Sequence, residues 1–318
     1  MGTHHLQPAR SIEEAISELD SLIAGEAAAE RVVAFGQDAV PYLEQLLLDS
    51  PPRTVSVPRC RAVRALSALG AYRVLFEYFN RYAMPKDAAV LFAEDAVRSA
   101  AAMELAPIHS EEVYRVLLDA ARHRATGGIV QALGTFCRHE SVPLLFELLE
   151  DDFCRNDALV ELRKVPDAAR PYAILLLRGC TDTAIHGPAA ARRRRSTLQL
   201  LSEFGIFPCD WPELRTFLSD EDIDCVVAAA QIGLSAASGP DKEEIVRALI
   251  DASARMNWAQ EMRSCELLDE CTAVAQHVAR EFIASCSQSS VQPTWRSPLW
   301  RILYHILGNE VQQARWLP

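Results

Sequence analysis

The residue groupings in this 318-residue chain that could do chemistry are charged rather than nucleophilic. Asp220-Glu221-Asp222-Ile223-Asp224 crowds carboxylates as a cation site would, but it lacks the glycine and the distant glutamate of a calcium loop. Glu150-Asp151-Asp152 is a second acidic group. Arg192-Arg193-Arg194-Arg195 is the one basic run. Four consecutive residues span more than one helical turn, so they cannot all face one way. Arg192 and Arg195 are the candidates from it for holding a phosphate or an acidic partner. Cys265, Cys271 and His277 recur every six residues, which on a helix is a rotation of about 240° and leaves no shared face. They read as core cysteines rather than a metal site. His123 and His139 stand at opposite ends of one predicted helix and read as surface histidines. The chain has no glycine-rich phosphate loop, no His-Glu-x-x-His and no paired metal-ligand spacing. The expectation is therefore no catalytic residue, no metal and no cofactor, with any site made of partner-binding charges.

Two recurring patterns supply the elements that would position those charges. The first is proline, one residue, then an apolar residue and a further apolar pair. It appears as Pro41-Tyr42-Leu43-Glu44-Gln45-Leu46-Leu47 and returns from Pro143, Pro171 and Pro212. Proline suits a first helical turn, where its missing N–H loses nothing. Versions without proline start at Arg73, Glu111 and Glu243. The steps between starts run from 28 to 41 residues, room for two helices and two turns, which is the period of a solenoid. Each start is followed by a second helix, predicted over 59–69, 88–105, 128–137, 156–165, 189–204 and 223–234. The most regular of these is Glu94–Leu105. Val97, Ala101 and Leu105, with Ala100 a step round, share one face of small residues, which lets neighbouring helices come close on both sides. Both acidic groups fall in the turn joining the two helices of a repeat. If equivalent turns align along one rim, Glu150, Asp151, Asp152, Asp220, Glu221, Asp222 and Asp224 form an acidic ridge able to steer a basic partner. The same acids suit helix starts, where they cap the chain and offset the dipole.

The Val97-Arg98 pair followed by Ala100, Ala101, Ala102 and Leu105 resembles the second helix of a HEAT repeat. With the recurring helix pairs, the chain resembles a HEAT-repeat array over residues 11–285. The resemblance implies an all-α, right-handed α-α superhelix of about seven to nine helix pairs. It places the second helices, and part of the Arg192–Arg195 run, on a concave surface. It implies no particular activity.

Composition narrows the function classes. Half the residues are hydrophobic and 7% aromatic, and glycine is scarce at 13, which favours aliphatic helical packing. The net charge of -11 argues against a nucleic-acid binder, which needs a basic face. Nine cysteines without a Cys-x-x-Cys fit buried free thiols in a reducing compartment. With no apolar leader and no apolar run of membrane-spanning length, the expected location is cytoplasmic, with no membrane association. Residues 1–10, with His4-His5, are expected to be disordered. Residues 286–318 are expected to form a loop and a capping helix over 298–307, with Trp300 against the last repeat. Trp258, Trp295, Trp300 and Trp316 concentrate at this end. The leading expectation is a non-catalytic scaffold or regulator that binds another protein with a basic surface, an immunity-type inhibitor being one form of it. The alternative is a HEAT-like DNA-binding enzyme of the alkylpurine DNA glycosylase type. That enzyme would need Arg61, Arg64, Arg98, Arg192 and Arg195 on the concave face. HEAT-like phycobilin lyases are a third class, which no motif here supports specifically.

Overall fold

The computed structural model of the chain describes residues 11–179, 187–236, 238–286, 297–308 and 310–313. Residues 180–186, and the expectations for residues 1–10, for Trp295 and Trp316, and for most of the loop ahead of the capping helix (287–296), fall outside the described residues. Among the described residues every regular element is helical, and no strand occurs. The all-α expectation holds.

The chain divides into two compact units, the first ending at Val165 and the second beginning at Pro166. The sequence reading placed no boundary there. Unit 1 contains α1 (Ile12–Ser17), α2 (Gly25–Ala34), α3 (Val40–Glu44), α4 (Val57–Ala68), α5 (Tyr72–Asn80), α6 (Ala88–Leu105), α7 (Glu111–Arg124), α8 (Gly127–Gly134), α9 (Val142–Glu147) and α10 (Arg155–Arg163). Within it α2, α4, α6, α8 and α10 form a row in which each packs on the next, and odd-numbered helices pack across that row. Unit 2 contains α11 (Pro166–Gly179), α12 (Pro188–Phe204), α13 (Trp211–Leu214), α14 (Ile223–Ala236), α15 (Gly239–Ala252), α16 (Trp258–Asp269), α17 (Thr272–Cys286), α18 (Pro298–Leu307) and α19 (Glu310–Gln313). There α14 packs on α12 and on α16, α15 packs on α17, and α18 lies against α15, α16 and α17.

Local chemistry explains these boundaries. Ser11, Asp87, Ser110, Thr126, Asn257 and Ser297 each accept a backbone N–H at the start of α1, α6, α7, α8, α16 and α18. Asn257 and Gln260 complete a reciprocal capping box. Pro41, Pro143 and Pro212 sit in the first turns of α3, α9 and α13, as their spacing predicts. Pro171 does not. Its helix begins earlier, at Pro166, and carries Pro171 in its interior. Pro166 takes the favoured first position instead, and one backbone hydrogen bond is lost at Pro171. The first helix ends at Ser17 and passes through a 3-10 turn, and Ser21 Oγ accepts the Ala24 N–H 3.0 Å away, closing a turn that leaves Leu22 and Ile23 exposed.

The small-residue face of α6 does what its composition implies. Val97, Ala101, Ala102 and Leu105 are buried, with α4 on one side and α8 on the other. The approach of α8 is close because Gly128 has no side chain. A Cβ there would stand 2.6 Å from Ser99 Cβ and 2.7 Å from Ser99 Cα on α6.

Buried guanidiniums tie unit 1 together. Arg59 of α4 donates to Glu94 of α6, the Tyr78 hydroxyl donates to the other oxygen of Glu94, and Arg59 Nη2 donates to the Leu47 carbonyl at 2.7 Å. The Arg59 and Glu94 side chains are 8% and 4% exposed. Arg61 Nη1 donates to the carbonyls of Leu19 (2.6 Å) and Ser21 (2.8 Å), and its Nε to Glu26 (2.9 Å). Arg98 donates to the carbonyls of Ala120 (3.0 Å) and Arg124 (2.8 Å), and its guanidinium lies 4.2 Å from the Tyr82 ring centre. Arg98 thus meets carbonyls at the C-terminal end of α7, where cations are electrostatically favoured, and Arg59 and Arg61 meet carbonyls of the turns that follow α3 and α1. Burial pulls the Arg98 guanidinium below its ordinary range and pushes the Tyr78 phenol above its own.

Two stability outcomes follow. Glu94→Ala strands Arg59 and the Tyr78 hydroxyl without their carboxylate and is expected to cost about 3–5 kcal/mol by urea unfolding, whereas Arg247→Ala, which removes an exposed pair with Glu281, changes stability by no more than about 1 kcal/mol. Gly128→Ala is expected to destabilise by about 1–3 kcal/mol, while Gly239→Ala, with open space around it, stays within about 1 kcal/mol of the parent.

Candidate functional site

The acidic and basic candidates of unit 2 meet one another. Asp220 Oδ2 accepts from Arg194 Nε at 3.1 Å, and Asp222 Oδ2 accepts from Arg195 at 2.6 Å. Asp224 Oδ2 lies 3.0 Å from Arg195 Nε, and its Oδ1 accepts from Gln260 of α16 at 2.7 Å. Asp224 therefore links α12, α14 and α16. Asp220 and Asp222 also accept the backbone N–H groups of Asp222 and Asp224, at 2.8 and 2.9 Å, and so turn the chain into α14. The Glu221 carbonyl accepts from Arg255 at 3.3 Å. Arg192 is half-buried and engaged by a neighbour. These charges work first on their own fold.

In unit 1, Asp151 Oδ1 accepts the N–H groups of Phe153 (2.7 Å) and Cys154 (3.0 Å) ahead of α10, and Asp152 pairs with Arg155 at 3.0 Å. Glu150, half-buried, also has a partner. This turn forms one wall of a groove of about 430 Å³ between α6, the start of α8 and the start of α10. Phe92 of α6, 76% exposed, and Phe153, 88% exposed, both line it. Asp95 and Arg124 lie inside it, joined by two short contacts of 2.8 and 2.6 Å. The hydroxyls of Ser99 and Thr126, 2.9 Å apart, complete the polar part of its lining. Neither phenylalanine is among the sequence candidates. The available signal was Phe153 itself, a large aromatic in a turn that otherwise consists of acids.

A shallower groove of about 350 Å³ in unit 2 runs over α12, α14 and the start of α16, with Gln199, Gln231 and Arg263 along it and Arg195 and Asp224 at one end. A third cavity, about 290 Å³, lies beside Arg98, Tyr82 and His123 on the α5–α7 side of unit 1.

Of the arginines that a DNA-directed enzyme would need, two are buried, while Arg64 and Arg195 stay about half exposed. Arg61 and Arg98 are buried against carbonyls, Arg64 pairs with Glu26, and Arg195 with Asp222 and Asp224. Cys265, Cys271 and His277 occupy α16, the following turn and α17 rather than a single helix. The His123 Nδ1–H donates to the Asp119 carbonyl, 2.8 Å away, and His139 is largely exposed beside Glu140. Among the described residues no three His, Cys, Asp or Glu side chains converge as metal ligands, and no helix is long and apolar enough to cross a membrane.

No protein-family model matches the chain, and no curated protein is significantly similar to it. What it does has to be read from its own residues.

The thiols differ sharply in their surroundings. Cys154, beneath the unit 1 groove, is buried, and burial pushes its thiol up to about 11; burial raises Cys225 as well. Cys137 and Cys209 are exposed. Alkylation with iodoacetamide near neutral pH is expected to modify Cys137 and Cys209 in the native protein, and Cys154 and Cys225 only after denaturation. Peptide mapping reads the order, and early labelling of Cys154 would show that the groove floor is open.

Proposed function

We propose that the chain is a non-catalytic protein-binding scaffold, built in each unit as a HEAT-like array of helix pairs, whose partner presents a basic surface. The observation that carries this reading is the α6–α8–α10 groove, where two large aromatics stand in solvent above carboxylates. Exposed aromatics rimmed by polar groups are the usual mark of a protein interaction site. The rows of adjacent second helices support the architectural part, since such rows offer extended surfaces rather than deep reaction clefts. The net charge of -11 favours a basic partner and speeds its encounter. The acids of the α13–α14 turn contribute to that field while holding α12, α14 and α16 together, so they are poor positions for testing the interface. Phe92 and Phe153 are better ones, because their exposure leaves the core untouched.

The test is affinity purification from the source cell at low and moderate salt, followed by calorimetry with the purified partner. The expected outcome is a stoichiometric protein whose affinity falls with rising salt and drops at least tenfold for the Phe92→Ala/Phe153→Ala double variant. Recovery of nucleic acid in place of protein would overturn the scaffold reading and favour the DNA-directed alternative.

A further inference from the structure

Resting on the scaffold reading, we infer that the α6–α8–α10 groove is an arginine socket: it receives one arginine side chain from a basic segment of the partner, stacked against Phe92 and Phe153 and neutralised by the carboxylates of the α9–α10 turn.

The first support is charge. Asp95 and Asp151 line the groove and Asp152 and Asp157 lie beside it, four carboxylates against three nearby cations, Arg98 (3.9 Å from Asp95), Arg124 and Arg155. Asp95 is answered by Arg124 and Asp152 by Arg155, and Asp157 accepts from the neutral amide of Gln131 at 2.8 Å. Asp151 uses one oxygen on backbone N–H groups. The groove thus keeps an excess of negative charge after its internal pairs are made, and an incoming cation would balance it.

The second support is an arrangement this unit already uses at three of its tyrosines. The guanidiniums of Arg59, Arg98 and Arg138 stand 5.7, 4.2 and 4.4 Å from the ring centres of Tyr78, Tyr82 and Tyr114. Among the described residues no intrachain cation is placed over Phe92 or Phe153, although both border the same cavity and both are open to solvent. A planar guanidinium can stack on a ring while its N–H fork reaches a carboxylate, which a lysine ammonium or an apolar side chain cannot do. The volume, about 430 Å³, accommodates a side chain with its flanking backbone.

The experiment titrates the isotopically labelled full-length protein with short blocked Gly/Ser peptides carrying one central arginine, citrulline or norleucine, and follows the Thr126 methyl and the Gly127 and Phe153 amides by NMR. The arginine peptide is expected to shift these signals saturably and to bind about tenfold more tightly than the citrulline peptide, its neutral isostere. Phe153→Ala is expected to weaken it about fivefold, and raised salt to weaken it further. Asp151→Asn should abolish most of the preference over citrulline; because Asp151 also shapes the turn, Phe153→Ala is the variant that carries the decision. Equal binding of the three peptides, tighter binding of norleucine, shifts that survive Phe92→Ala/Phe153→Ala, or no shift at all would overturn the arginine socket. Any of these, combined with a protein partner that still depends on Phe92 and Phe153, would leave the scaffold reading standing.

Discussion

A buried guanidinium is costly to desolvate, and unit 1 is arranged around meeting that cost. Arg59, Arg61 and Arg98 are almost fully buried, each at a joint between helices that are far apart in sequence. Each is met by backbone carbonyls of a neighbour, Leu47 for Arg59, Leu19 and Ser21 for Arg61, and Ala120 and Arg124 for Arg98, and Arg59 also by Glu94. An arginine with its partners missing would stay unpaired in a low-dielectric interior, so misplaced packings are penalised much more heavily than the native one is rewarded. The aliphatic residues around these joints, such as Val97, Leu105 and Leu117, supply most of the burial energy but little directional information. The polar knots determine which helix sits beside which.

Much of the local structure was legible in the sequence, because it depends on local chemistry. The Ala-rich helix from Ala88 to Leu105 and the helix from Pro298 to Leu307 have the boundaries their patterns predict. The second helices of the other pairs begin or end within a few residues of expectation, as capping and fraying allow. The misplaced boundary at Pro171 has a physical reason: a favourable proline five residues earlier took the helix start. The division after Val165 has no compositional signature.

The candidate site was legible only as a set of residue types. The acids at 150–152 and 220–224 lie in or beside the turns that lead into α10 and α14, and the arginines at 192–195 lie in the second turn of α12, but their partners could not be read from spacing. Arg194 finds Asp220 and Arg195 finds Asp222 at separations of 26 and 27 residues, and Asp224 reaches Gln260 across 36. Such pairings depend on which side of a helix faces a neighbour, and small rotations change them. The same holds for Arg61 and Arg98. As sequence they could belong to a basic concave face; in the fold they are capping groups. Phe92 and Phe153 escaped notice for the converse reason, since an aromatic is expected inside and these two are outside.

The way Arg98 is used has a consequence for how such a chain can change. It sits on α6 but closes the last turn of α7, the first helix of the following pair. Arg61, on α4, reaches back instead to the turn that precedes α2. The pairs joined by these two arginines are therefore not interchangeable modules, since each arginine is an adaptor cut for one particular neighbour. Arrays of uniform repeats can grow or shrink by duplicating or dropping a unit. Here, excising a pair beside Arg61 or Arg98 would leave that arginine facing the wrong backbone, so this part of unit 1 is locked by its own wiring, and divergence is channelled into loops and exposed turns.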